Sequence, residues 1–265
     1  MKFTFLAAGF FLAGALPQSA AAQDPRITPV MSTTTMRSCQ SEATTTILVR
    51  EGQPVANPMP AIEKRRVELG LKPSGDGYAI SNVTDSPEGR TGLELTTDAT
   101  GAIRDARMTG RALELGLSAT QLSELARTAG EDLPERLLIG RSFMVGDSYY
   151  PDALRSTLMR RMVDQIGLPL ESEGTLGLTY RGEAEHLGRR VWAFEGPVTL
   201  RGEGALQGGV PVLLQMNGSG RVLHDAETGL VLRYELRMET RIDLDGATVA
   251  RLEASDVWDC RLVPG

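Results

Sequence analysis

Residues 230–244 read Leu230-Val231-Leu232-Arg233-Tyr234-Glu235-Leu236-Arg237-Met238-Glu239-Thr240-Arg241-Ile242-Asp243-Leu244. Leu230, Leu232, Tyr234, Leu236 and Met238 take alternate positions. Arg233, Glu235, Arg237, Glu239, Arg241 and Asp243 fall between them. Successive side chains of a strand point to opposite faces, so the pattern predicts one face in a core and one in water. At roughly 3.3 Å per residue the strand is about 50 Å long, well beyond the roughly five or six residues that are usual. Such a strand belongs to a large curved sheet or a partly open barrel. Asp245-Gly246 then reads as a two-residue hairpin turn into a partner strand over 247–260.

The same alternation recurs upstream, at Leu176, Leu178 and Tyr180 and at Val212, Leu214 and Met216. Earlier still, short segments near 44–50, 65–71, 77–83, 91–97 and 102–109 are separated by turn material such as Lys72-Pro73-Ser74-Gly75-Asp76-Gly77 and Asp98-Ala99-Thr100-Gly101. Two stretches change to helical period. Ser118 with Gln121 forms a capping box ahead of Leu122, Leu125 and Ala126. From Asp152 to Gln165 or Ile166, an apolar stripe of Leu154, Leu158, Met162, Val163 and Ile166 opposes Arg155, Arg160, Arg161 and Asp164, and Gly167 stops the helix. The expected fold is mainly β, an antiparallel curved sheet or partly open barrel with two or three helices.

The chain ends carry their own signals. Lys2 is the one charge before Asp24, Phe3 to Leu16 is almost wholly apolar, and Pro17 leads to Ala20-Ala21-Ala22. This is the layout of a cleavable export signal over 1–22, too short to span a bilayer, with Gln23 as the new N-terminus. No cysteine follows for lipidation, so the expected product is periplasmic or secreted, with no transmembrane segment in the mature form. Residues 23–36 read as a loose Pro/Thr/Ser-rich arm, and 37–265 as a single β-rich domain. The formal charge is −6, and losing Lys2 makes the mature chain one unit more acidic, which argues against nucleic acid as a partner.

Cys39 and Cys260 are the two cysteines, one near each end. In an oxidising compartment the simplest reading is a disulfide, worth at most about 5 kcal/mol by loop-closure entropy. It requires the first and last strands to be neighbours. A weaker feature is an internal echo: the Asp98–Gly101 turn and Asp225-Ala226-Glu227-Thr228-Gly229 each lead into a strand ending Arg-Met. It reads either as a duplication or as two hairpins using the same turn residues.

Leu133-Pro134, the run LLIGRSFMVGDSYY (137–150), RRVWAFEG (189–196) and HDAETGLVLRYELRM (224–238) together resemble exported bacterial β-proteins. The layout over roughly 90–260 also resembles the periplasmic lipoprotein carrier of the LolA-like fold. That resemblance implies an unclosed antiparallel barrel whose helices cover an apolar cavity. The chain length and the Cys39–Cys260 pair set this chain apart from that carrier.

Chemical motifs are sparse. Gly146-Asp147-Ser148 has the form of a GDSL-type nucleophile block, but neither His186 nor His224 stands at a triad spacing, and a turn is the stronger reading. Glu183-Ala184-Glu185-His186 would split a metal-ligand set between two strand faces, and Asp243-Leu244-Asp245-Gly246 lacks the remaining ligands of a calcium loop. Neither a catalytic residue, a metal nor a cofactor is expected. The leading expectation is a non-catalytic carrier of an apolar, lipid-like ligand. Its site would pair Leu154, Leu158, Met162 and Ile166 of the helix with Leu232, Tyr234 and Leu236 of the long strand. The alternatives are a structural or protein-interaction module of the cell envelope and, third, a hydrolase.

Overall fold

The computed structural model describes residues 26–29, 31, 34–164, 167, 170–206 and 208–263. The expected signal over 1–22, Gln23 and Ile166 lie outside the described residues. The first half runs β1 (Thr35–Arg50), β2 (Gln53–Pro54), β3 (Ala61–Ser74), β4 (Gly77–Ser86), β5 (Gly89–Thr97), β6 (Ile103–Gly110) and α1 (Ala119–Glu131). The second runs α2 (Asp152–Asp164), β7 (Leu170–Leu176), β8 (Thr179–His186), β9 (Arg189–Ala205), β10 (Pro211–Asp225), β11 (Val231–Leu244) and β12 (Ala247–Val263).

These strands form one antiparallel sheet in the order β6-β5-β4-β3-β1-β12-β11-β10-β9-β7 that does not close on itself; β8 continues the β7 edge along β9, and β2 caps β1. The long strand is present as β11, and Asp245 (φ 47°) with Gly246 (φ 78°) makes its turn into β12. Left-handed dihedrals at both central positions define the hairpin type whose twist matches that of the strands. Two meanders therefore meet at their outermost strands, β1 and β12, in the middle of the sheet. Cys39 faces Cys260 directly across this seam and the two are joined, 221 residues apart in sequence.

One face of the sheet carries the core. Leu69, Ile80 and Leu95 from the first meander join Phe194, Val198 and Val222 from the second, beneath the helices and the segment 132–151. Ser118 caps α1 with both capping-box bonds to Gln121. The helix packs through its small residues: Ala126 is buried, and a side chain at Gly130 would come within 2.7 Å of Leu95 Cδ2. Leu125, expected inward with Ala126, is instead exposed.

The arm expected to be loose is held where it is described. Ile27 exchanges backbone hydrogen bonds with Phe143 (2.9 Å each way), Met31 is buried, and β1 already begins at Thr35. Residues 137–145, running into the turn at Val145–Gly146, start within a 3-10 turn (Arg136–Leu138) and make a single bridge, from Phe143 to Ile27. The internal echo has a local account. Asp98 Oδ1 accepts from the Thr100 N–H and hydroxyl, and Asp225 Oδ1 accepts from the same two groups of Thr228.

Candidate functional site

A groove of about 320 Å³ lies between α2, the segment 132–134 and the covered face of the sheet. Leu158 and Met162 of α2 face Tyr234, Leu236 and Met238 of β11 across it. Gly220 on β10 keeps part of this space open; a side chain there would come within 2.9 Å of Leu178 Cδ1. Its size lies at the lower end of small-molecule sites, and its lining is mainly apolar and aromatic. A larger depression, about 750 Å³, is an open trough on the uncovered face of β1 and β3–β6, among Met36, Glu68, Lys72, Glu94, Asp105 and Arg107. Its charged, shallow character offers an apolar molecule little burial, so the groove under α2 is the candidate site.

The structure brings together Leu158, Met162, Tyr234 and Leu236 of the residues singled out from sequence. Leu154 is buried in the core instead, and Ile166 lies outside the described residues. Leu232 is misplaced by the sequence reading. Leu223 pairs with Arg233 while His224 pairs with Val231, so Leu232 is an extra residue in the ladder, a β-bulge. The bulge reverses the alternation, and Leu232 packs with Val191, Ala193 and Leu223 in a second apolar cluster.

Burial and neighbouring charge tune the polar groups of the groove. Burial pushes the Tyr150 hydroxyl up to about 12, with the Asp132 carboxylate adding to it. Tyr234 is pushed well above its ordinary value by burial, then by Tyr150, Asp256 and Asp132. Asp132 stands at the groove with its residue exposed but its carboxyl hemmed in, and this desolvation raises it. Asp256, half-buried on β12, is likewise raised by burial, against hydrogen bonds from Trp258 Nε1 (3.0 Å) and Ser41 Oγ (3.2 Å). The Arg161 guanidinium lines the groove but is paired to Glu131 at 2.5 Å.

A buried polar cluster, not anticipated from sequence, holds Leu133 and Pro134 in place over this groove. Arg37 and Glu135 are both fully buried and paired at 2.5 Å, and the Val231 N–H also donates to Glu135 (3.1 Å). Burial alone would raise the Glu135 carboxyl, but the Arg37 charge and its hydrogen bond bring it below its ordinary value. His224 is fully buried, and burial pulls its imidazole down to about 4, so it is neutral at pH 7. Its Nδ1 donates to the Gly229 carbonyl (2.9 Å), which leaves Nε2 as an acceptor for the Tyr149 hydroxyl (2.9 Å). The single proton of that hydroxyl is shared with the Pro134 carbonyl, 3.1 Å away. Charged partners 98 residues apart, one of them outside any strand, leave no local pattern in the sequence.

Ser148 follows the turn at Val145–Gly146 and bridges Thr179; its hydroxyl donates to the Tyr150 carbonyl (2.9 Å), and Asp147 accepts from the Met144 N–H (2.8 Å). With both nitrogens of His224 engaged by Gly229 and Tyr149, this histidine is not poised as a base for Ser148. Glu183 pairs with Arg190, and Asp243 accepts from Arg241 and Thr248. Among the described residues no three His, Cys, Asp or Glu side chains gather as a metal site, and no helix is long and apolar enough to cross a membrane. Compared with known proteins, the chain matches no family model and no curated relative.

Proposed function

We propose that the protein is a non-catalytic binding or carrier protein, periplasmic or secreted, that holds an apolar, lipid-like ligand between α2 and the sheet. The observation that carries this reading is the groove itself, with Leu158 and Met162 opposite Tyr234 and Leu236 around about 320 Å³ of open space. Helices covering one face of an unclosed sheet also suit the LolA-like resemblance. Export is supported by the apolar leader and by the Cys39–Cys260 disulfide, a bond that persists in oxidising compartments.

The test is titration with N-phenyl-1-naphthylamine, an uncharged probe that fluoresces in apolar surroundings, together with native mass spectrometry of protein purified from a periplasmic extract. Saturable fluorescence that a groove-filling Met162→Trp substitution removes supports the reading. Fluorescence unchanged in that variant, with no co-purifying lipid mass, sinks it. The second reading, an interaction module of the envelope, is favoured by Leu113, Leu115 and Leu125, which stand exposed around α1 and the turn before it. On that reading substitutions at these leucines, and not at Met162, would abolish association with a partner.

A further inference from the structure

Resting on the groove as a ligand site, we infer that it takes an apolar molecule with a positively charged head and discriminates against anionic ones. The charges around the groove are uneven. Arg161, a cation in its lining, is already paired to Glu131 at 2.5 Å, whereas Asp132 beside it makes no contact ion pair among the described residues, with Arg161 and Arg136 acting on it from farther off. On the sheet side, the two hydrogen bonds to Asp256 come from the neutral donors Trp258 and Ser41, so its negative charge is solvated but not cancelled at contact distance.

Asp132 lines the groove, and Asp256 stands beside it on β12, opposite the groove residue Leu236 in the β11–β12 ladder and bonded to Trp258. A positive head entering there meets the Asp132 carboxylate in the lining and Asp256 beside it, while an anion meets like charge. Aromatic rings strengthen the preference. Tyr150, Tyr234 and Trp258 all line the groove, and ring faces attract cations. Trp258 already does so within the protein, with the Arg37 guanidinium 5.5 Å from its centroid.

The experiment displaces N-phenyl-1-naphthylamine with three ligands of one chain length, each below its micellar concentration: decyltrimethylammonium, decyl sulfate and decanol. The expected result is displacement by the ammonium at about ten-fold lower concentration than by either other ligand, the scale of a cation held by rings and a partly desolvated carboxylate. In Asp132→Asn and, separately, Asp256→Asn the lead of the ammonium over decanol should shrink. Equal displacement, or a lead for the sulfate or the alcohol, overturns the inference and leaves the groove reading standing. So does an ammonium preference unchanged in both asparagine variants. Absence of probe binding, with no heat from any of the three ligands by calorimetry, removes the groove reading and this inference with it.

Discussion

Arg37 and Glu135 meet with neither exposed to water, so each charge depends on the other for its solvation. Removing one partner strands the other, and Glu135→Gln should cost about 3–5 kcal/mol in a denaturant titration; a loss below about 1 kcal/mol would show the pair to be dispensable. His224 makes a separate prediction. The folded protein binds its proton only below about 4, against an ordinary value of 6.5, so between these values the unfolded chain holds more protons. Stability therefore falls as pH falls through that window, by up to about 1.4 kcal/mol per pH unit. Glu135, lowered in the folded state, adds a loss in the same direction at still lower pH, as it becomes protonated. Denaturant midpoints measured across the window should fall more steeply for the native protein than for His224→Gln, and parallel curves would reject the assignment. At this scale the sequence was partly legible. Tyr234 and Leu236 sit where alternation puts them, and Leu232 does not, because one inserted residue reverses the parity and carries no mark of its own.

The helix α2 was legible as a helix and, apart from Met159, in its facing, since Leu154 and Val163 of the expected stripe are buried. Leu154, Leu158, Met162 and Ile166 recur every four residues, and at 3.6 residues per turn such a row drifts by about 40° at each step. It cannot stay on one face. The buried line is Leu154, Met159 and Val163, with Leu158 and Met162 turned toward the groove. Met159 went unnoticed because its seat is made elsewhere, by Gly174 on β7, where a side chain would come within 2.5 Å of the Met159 methyl group. The two sides of this helix should respond differently to truncation. Met159→Ala should cost about 2–5 kcal/mol, as buried methionines do, and leave probe binding intact. Leu158→Ala, half-buried beside open space, should cost nearer 1 kcal/mol and change probe binding clearly, since less packing is lost there. A large stability loss at Leu158 with unchanged binding would mean that the groove wall is ordinary core.

For the whole molecule, the mainly β class, the unclosed sheet and the nearness of the first and last strands were readable from alternation and two cysteines. The strand order was not, because antiparallel partners are chosen by contacts that short-range periodicity does not encode. Peptide mapping without reductant should link the fragments holding Cys39 and Cys260. The Cys39→Ala/Cys260→Ala protein should melt roughly 10 °C lower, given about 3–5 kcal/mol for so long a loop; an unchanged melting temperature would mean that the paired strands alone hold the seam. That seam also governs when the protein can come into being. Cys39 on β1 leaves the ribosome 221 residues ahead of its partner Cys260 on β12. Until residues 247–263 emerge, β1 offers sixteen residues of edge to any neighbouring nascent chain. The seam thus carries a high entropic threshold, and a chain lacking β12 should aggregate rather than survive as a smaller version of itself.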